Sequence, residues 1–364
     1  MRNTLGTALT VTLFGESHGR AIGAVVDGLA PGLPVDGEFI ASQLTLRRPS
    51  GAESTSRREQ DAFTLDSGVY NGFTTGAPVC IRIENKDVRS ADYSEIADKM
   101  RPGHADYTAF VKYRGFSDPR GGGHFSGRIT APLVAAAALV IPAMRRKGIF
   151  IGTHIAACAG IADRPFGDLS ADINALSSLA FPVLSGEAEK KMREKILAAK
   201  AEGNSVGGIL ETAVCGLPAG LGEPWFDSAE SLLSHALFSI PAVKAVEFGE
   251  GTGFAGMCGS EANDSFYYDE NGEVRTRSNH NGGINGGITN GMPRVFRCTV
   301  KPTPTISLPQ QTVNVKTREN AGIAAAGRHD PFIAHRARVV ADSLTALVLC
   351  DMLAIKYGTD WLAE

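Results

Sequence analysis

The chain has 364 residues with 36 Lys+Arg against 39 Asp+Glu, a formal net charge of −3, which leaves no sequence-wide basic field for nucleic acid. Hydrophobic residues make up 43% and charged residues 21%; a chain of this usage buries a large core, so the disordered and fibrous classes drop out. The longest apolar run, residues 131–144, contains Pro132 and Pro142 and falls short of the roughly 20 residues that span a bilayer.

Residues 1–19 lack a continuous apolar stretch of the secretory type, so no membrane association and a cytoplasmic location are expected. In chain order, alternating and β-branched residues predict strands over 10–14 and 21–26, a helix over 38–46 and a strand over 79–84. Helices follow over 105–113 and 131–146, then a strand over 149–157 and a helix over 187–201, where Glu187 and Lys191 stand in favourable register. A strand over 209–214, a helix over 228–238, strands over 243–248 and 295–300 and a helix over 334–355 complete the set. Strands come in runs rather than in strict alternation with helices, which predicts an α+β sandwich over a doubly wound parallel sheet.

Residues 25–33, VVDGLAPGL, are echoed by residues 213–221, AVCGLPAGL, at an offset of 188, and a helix is predicted after each copy. Gly72-Phe73 and Gly253-Phe254 recur at an offset of 181. The echo predicts one domain over residues 1–364 built from two intertwined similar halves, with chance matching of turn residues as the rival explanation. Residues 47–61, 114–128, 249–263 and 269–291 are predicted as long loops, and loops of that length in a compact domain are usually functional.

The six cysteines stand at least 40 residues apart, which fits neither zinc-knuckle nor CxxC spacing, so they are expected as reduced core thiols. The 42 glycines of 364 residues are about 12% against roughly 7% in average usage, and they cluster. Gly15-Glu16-Ser17-His18-Gly19 spells a nucleophile elbow, but residues 21–27 predict a strand where that elbow needs a helix. A turn that brings Ser17 and His18 to a site is the better reading. Residues 251–256 spell GxGxxG without the following helix that a dinucleotide site needs.

His104 follows a Pro-Gly turn at the start of a predicted helix. Arg120-Gly121-Gly122-Gly123-His124-Phe125-Ser126-Gly127-Arg128 exposes backbone N–H groups between arginines, which suits a phosphate or carboxylate. Residues 278–287, SNHNGGINGG, present a glycine-dense backbone. Arg328, His329 and Asp330 join a cation, an imidazole and a carboxylate, with Asp330 as a possible cap of the last helix. Arg47, Arg48, Arg57 and Arg58 put four guanidinium groups into one loop of a slightly acidic chain, a site for a small polyanion. The histidines lack metal-site spacing, and no metal is expected.

These motifs, in this order, resemble the chorismate synthase family. The matching stretches are FGESHG at 14–19, RRP at 47–49, SRRE at 56–59, RPGHADYT at 101–108, RGGG at 120–123, SNHNGGINGG at 278–287, KPTPTI at 301–306 and GRHDP at 327–331, and they span nearly the whole chain. The resemblance implies a β-α-β sandwich, generally tetrameric, that removes phosphate and a hydrogen from 5-enolpyruvylshikimate 3-phosphate with reduced FMN present and no net redox change. It implies that His18 protonates or stabilises the reduced flavin and that His104 protonates the departing phosphate. Asp330, Ser17 and Ser126 would relay a proton through the flavin. Arg47, Arg48, Arg101 and Arg128 would hold the substrate anions, and His124, Phe125, Ser126, Gly286, Lys301, Pro302, Thr303, Pro304, Thr305 and Arg328 would contact FMN.

Two stretches depart from the family pattern. GGGHFSGRIT stands where members usually read GGGRSSARET, which places His124, Phe125 and Ile129 where arginine, serine and glutamate are usual. Residues 49–54 are one residue short in the arginine loop and lack a basic residue. No reductase domain is evident in the sequence, so an external flavin reductant is expected rather than NADPH oxidation by the chain itself.

Overall fold

Apolar residues at every second position build two antiparallel sheets. In the computed structural model of the chain, which describes residues 2–51, 54, 61–85, 98–324 and 330–364, the first sheet comprises β1 (Thr4–Leu5), β2 (Thr10–Gly15), β3 (Ala21–Asp27), β4 (Phe63–Leu65) and a later strand. A hairpin of β5 (Val69–Tyr70) and β6 (Phe73–Thr74) precedes that strand, β7 (Val79–Glu84). Ile22, Ala24 and Val26 on β3 and Val79, Ile81 and Ile83 on β7 are buried on the core side, as in a sheet with one covered face. α1 (Gly37–Arg47) links β3 to β4, and α2 (Asp106–Lys112) and α3 (Thr130–Arg146) follow β7.

The second sheet begins with β8 (Phe150–Cys158) and β9 (Ile161–Ala162), followed by α4 (Leu169–Leu176) and α5 (Gly186–Ala201). Then come β10 (Gly208–Cys215), α6 (Ala229–Leu237), β11 (Val243–Phe248) and the short α7 (Gly259–Ala262). Hairpins β12 (Phe266–Tyr268) with β13 (Val274–Thr276) and β14 (Ile284–Asn285) with β15 (Ile288–Thr289) precede β16 (Arg294–Val300). The chain closes with the hairpin β17 (Gln310–Asn314) and β18 (Glu319–Ile323) and the long helix α8 (Ala334–Tyr357).

The sheet orders are β1-β2-β3-β7-β4 and β9-β8-β10-β16-β11. With the edge strands β1 and β9 set aside, both read first, second, fourth, third. α3 packs on β2, β3 and β7, α8 packs on β8 and β10, and the two helices pack on each other with α1 and α6 beside them. The helices therefore lie between the sheets in the expected β-α-β sandwich. Gly127–Arg146, α3 with the turn ahead of it, has the length and composition of a membrane span, but a helix that is apolar all round is equally a core helix, and α3 is buried here.

The two echoed segments make the same turn. Thr74 Oγ1 donates to the Ala30 carbonyl at 2.6 Å and accepts from Leu33 N–H at 2.9 Å. Thr289 Oγ1 donates to the Pro218 carbonyl at 2.8 Å and accepts from Leu221 N–H at 2.8 Å. Gly28 and Gly216 hold φ of +85° and +80°, and a Cβ on either would strike the carbonyl of Ala8 or Gly148 just ahead of β2 or β8. Both threonines are buried, so Thr74→Val and Thr289→Val each strand a buried donor and acceptor. Each is expected to cost about 2 kcal/mol in urea unfolding; a loss at one position only would mean that the two turns are not equivalent.

The equivalence breaks at one core position. Val26 faces Val79 across the first sheet, whereas Val214 faces Arg294 across the second. Arg294 is 1% exposed and donates to the Met292 carbonyl, while its Nε and Nη2 have no hydrogen-bond partner among the described residues. Burial pulls its pKa down to about 10. Arg294→Met removes an uncompensated buried charge and is expected to raise stability by about 1–2 kcal/mol in chemical unfolding; a loss of stability would mean that the guanidinium is compensated in solution.

Three expectations are corrected. Residues 269–291, predicted as one loop, carry β13 and the β14–β15 hairpin, whose turn residues Gly286 and Gly287 hold φ of +61° and +87°. α8 starts with Ile333 as its N-cap, so Asp330 does not cap it. Cys158, Cys298 and Cys350 are buried thiols, pushed up to about 12 by burial, but Cys80 and Cys215 are half-buried and Cys258 is exposed.

Candidate active site

The turn between β2 and β3 carries Ser17 and His18 and is tied to the triple-glycine segment. Ser17 N–H donates to the Gly123 carbonyl at 3.1 Å, and Ser17 Oγ donates to the Arg120 carbonyl at 3.1 Å. His18 Nδ1 lies 3.1 Å from the same Oγ. With the hydroxyl proton committed to Arg120, Nδ1 carries the ring hydrogen in this contact.

Gly121, Gly122 and Gly123 hold φ of +60°, +85° and +53°, a left-handed run that only glycine adopts at low cost. A Cβ on Gly121 would overlap Cε1 and Nδ1 of His18 and lie 2.7 Å from Ser17 Oγ. A Cβ on Gly122 would stand 3.3 Å from Cε1 and 3.5 Å from Nε2 of His104. Three bare peptide units thus run past two imidazoles from distant parts of the chain.

His104 sits ahead of α2. Its Nδ1 lies 2.7 Å from Asp106 Oδ1. Arg101 grips the same carboxylate with Nε at 2.7 Å, Nη2 at 2.8 Å and its backbone N–H at 3.1 Å. Burial would push the Asp106 carboxyl up, but these donors together hold it well below the usual carboxylate range.

Lys301, delivered by the end of β16, donates from Nζ to the Gly103 carbonyl at 2.5 Å, and a Cβ on Gly103 would meet Pro304 at 3.2 Å. Ser205 Oγ donates to the Thr303 carbonyl at 2.7 Å, and Thr303 Oγ1 is buried without a hydrogen-bond partner among the described residues. Pro302 passes close to Gly207, and Thr305 closes the stretch, half-buried.

A cationic group flanks the glycine turn. Asp61, with a fully buried side chain, binds Arg47 Nη2 at 2.8 Å, pairs with Arg128 Nη1 and lies 3.8 Å from Arg48 Nε. Burial would push the Asp61 carboxyl up; Arg47 and Arg128 outweigh it and hold the carboxyl below its ordinary value. Burial also lowers the Arg47 pKa, against the pull of Asp61. Arg128 Nε donates to Asn85 Oδ1 at 3.1 Å, and Asn85 Nδ2 donates to the carbonyls of Glu16 and Gly19 at 3.0 and 2.9 Å. Asp330 accepts from Arg336 Nη1 at 2.6 Å, and Arg336 Nε donates to the Arg47 carbonyl at 2.9 Å.

His124 places Nδ1 2.7 Å from the Gly15 carbonyl, and Phe125 makes an edge contact with Tyr113 at 6.1 Å. Ser126 Oγ accepts from Arg128 N–H at 3.3 Å. Ile129 belongs to the hydrophobic core. The structure thus brings Ser17, His18, Arg47, Arg48, Arg101, His104, His124, Phe125, Ser126, Arg128, the 301–305 segment and Asp330 into one connected region.

Gly286 is elsewhere. Its hairpin is bonded to the turn after β10, at the opposite end of the second sheet from Lys301; the seven residues of β16 span roughly 20 Å. Arg57, Arg58, Arg328 and His329 lie outside the described residues. Sequence reasoning missed Asp61, Asn85, Asp106 and Arg336. Of these only Asp106 had a local signal, a carboxylate two residues after an imidazole.

A family model described as Chorismate synthase matches residues 9–354. The chain belongs to the chorismate synthase family. It is 45% identical to a chorismate synthase of Dehalococcoides mccartyi over 98% of both chains. It is also 42% identical to one of Aeropyrum pernix over 100% of this chain and 96% of the relative. Its fold is similar to a crystal structure of chorismate synthase, with a TM-score of 0.77 at 27% identity, covering 98% of this chain and 95% of that one. The chorismate synthase family thus accounts for the whole sandwich, including the β2–β3 turn, the triple glycine and α8.

Proposed function

We propose that the chain is a carbon-oxygen lyase that converts 5-enolpyruvylshikimate 3-phosphate to chorismate and phosphate by 1,4 anti-elimination, with reduced FMN present and unchanged overall. The observation that carries this reading is the pair His18 and His104 on either side of a glycine turn. Cationic groups from four segments surround them. The substrate bears two carboxylates and a phosphate. Around Asp61, three guanidinium groups face one carboxylate among the described residues, a grouping of cations that suits such a substrate.

The residues present fit a bound flavin phosphate and ring. The positive-φ glycine run leaves peptide edges that any Cβ would cover, Thr303 keeps a buried hydroxyl without a partner among the described residues, and Lys301 supplies a cation. His124, Phe125, Ser126, Lys301, Pro302, Thr303, Pro304, Thr305 and Arg328 would hold FMN, with Gly286 reaching it from another copy of the chain. The reduced flavin supplies electron density to the breaking allylic C–O bond.

His18, held through Ser17, keeps a proton beside the flavin. His104 gives a proton to the phosphate oxygen as the C–O bond breaks, so the group leaves as a weaker base. Asp330, fixed by Arg336, carries away the substrate proton in company with Ser17 and Ser126. Arg47, Arg48, Arg101 and Arg128 orient the anions and exclude water from the reacting face. We take the working form to be a cytoplasmic homotetramer of a single duplicated domain, supplied by an external reductant.

Anaerobic mixing of purified protein, dithionite-reduced FMN and substrate is expected to release chorismate and phosphate one for one, and none with oxidised FMN. Release of neither product although both ligands bind would overturn the reading. Rapid NADPH oxidation by the protein with FMN would overturn the external reductant.

A further inference from the structure

The Arg101 side chain is occupied. Two of its nitrogens grip Asp106 in a fork at 2.7 and 2.8 Å, and its backbone N–H meets the same carboxylate. Asp106 Oδ1 also takes the Nδ1 side of His104 at 2.7 Å. A guanidinium bound along both Nε and Nη2 commits one planar edge to that carboxylate and keeps the Nη1 side of the fork. Arg101 Nη2 lies 3.3 Å from His104 Nδ1. A guanidinium only donates, so a hydrogen bond here would need a bare Nδ1; the far shorter contact to the carboxylate, which only accepts, puts the hydrogen on Nδ1 instead. Lys301, the other cation at this turn, holds the Gly103 carbonyl instead.

We propose that Asp106 is the positioning residue of His104 and that Arg101 holds Asp106 in place for it. Nδ1–H of His104 stays on the carboxylate. The opposite edge, with Nε2, is turned to Gly122, where the added Cβ would meet it at 3.5 Å. The proton given to the leaving phosphate is therefore the one on Nε2, and Asp106 neither gains nor loses a proton. This rests on the reading of His104 as the acid. It goes further in assigning the tautomer and in giving Arg101 an alignment role through Asp106.

The test uses the full-length protein labelled with 15N-histidine. At a pH where the ring is neutral, wild type is expected to show His104 with hydrogen on Nδ1, the minority form of free imidazole. Asp106→Ala is expected to return it to Nε2–H. In the anaerobic assay, Asp106→Asn is expected to lower kcat about 100-fold with KM within threefold, and Asp106→Glu to recover part of the loss. Arg101→Gln, the milder variant should Asp106 changes prevent folding, is expected to lower kcat by about tenfold.

A wild-type His104 with hydrogen on Nε2 overturns the proposal. So does a tenfold rise of KM with kcat unchanged in Arg101→Gln, the signature of a lost substrate contact. A tautomer that shifts as expected while kcat stays at the wild-type value overturns the acid role of His104 instead.

Discussion

Gly121→Ala is expected to cost at least about 100-fold in turnover while the protein still folds. The added methyl overlaps the His18 ring at Cε1 and Nδ1 and crowds Ser17 Oγ, so either the imidazole or the glycine turn must move by about an ångström. Displacements of that size at a reacting centre cost on the order of 100-fold. The strain of an alanine at φ +60° adds only about 1 kcal/mol to the folding cost, which a globular domain tolerates. Gly122→Ala is expected to do less, because its methyl meets His104 at 3.3 Å, a contact that a small ring shift relieves. Single-turnover rates of the two variants beside wild type, with circular dichroism as the folding control, check both. A Gly121→Ala rate within threefold of wild type would mean that the glycines serve something other than the approach of His18.

Asp61→Asn is expected to destabilise the protein by about 3 kcal/mol or more. The substitution keeps the size of the side chain, and asparagine tolerates the φ of +49° at this position, so the measured change isolates the charge. Arg47 and Arg128, with side chains 5% and 9% exposed, then share a buried site without their carboxylate. The sign of the pH dependence follows. The folded Asp61 carboxyl lies below its ordinary value of 3.8, so the unfolded chain binds the proton first as pH falls. The stabilisation is fully present above about pH 4 and is lost as pH drops through the folded pKa. Urea titrations of wild type and Asp61→Asn at pH 7 and near pH 3 are expected to differ widely at pH 7 and to converge in acid; equal stabilities at pH 7 would show that the arginines are solvated.

Much of the sandwich was legible because its strands alternate. β7, VCIRIE, and β11, VKAVEF, were read with their observed bounds, and the long helices to within two residues at either end. α4, LSADINAL, was missed because eight residues make only about two turns, although Leu169, Ile173 and Leu176 stand at helical spacing. Its N-cap, Asp168 accepting from Ala171 N–H at 3.1 Å, was nonetheless a readable signal. The hairpin at Gly286 was hidden for a different reason. Its strands are two residues each and owe their order to the bonds between Thr289, Leu221 and Pro218, which no local window contains.

Within the candidate site, the histidines and arginines could be named from motifs, since their residue types announce anion and proton chemistry. Their pairings could not. Asp61 and Arg128 are 67 residues apart in the chain, and nothing near Asp61 marks it as the counter-charge of three guanidiniums. The glycine triplet illustrates the same limit. Composition suggested backbone N–H groups for an anion, whereas the structure adds a steric reason, the passage of two imidazoles within contact of residues 121 and 122.

The proposed role of His104 as the acid on substrate already bound is read by a rapid-quench single turnover. Enzyme in excess over substrate, saturated with reduced FMN under anaerobic conditions, is followed for chorismate in wild type and His104→Ala. A loss of at least about 100-fold with substrate affinity retained is expected. A rate within threefold of wild type on bound substrate would contradict it.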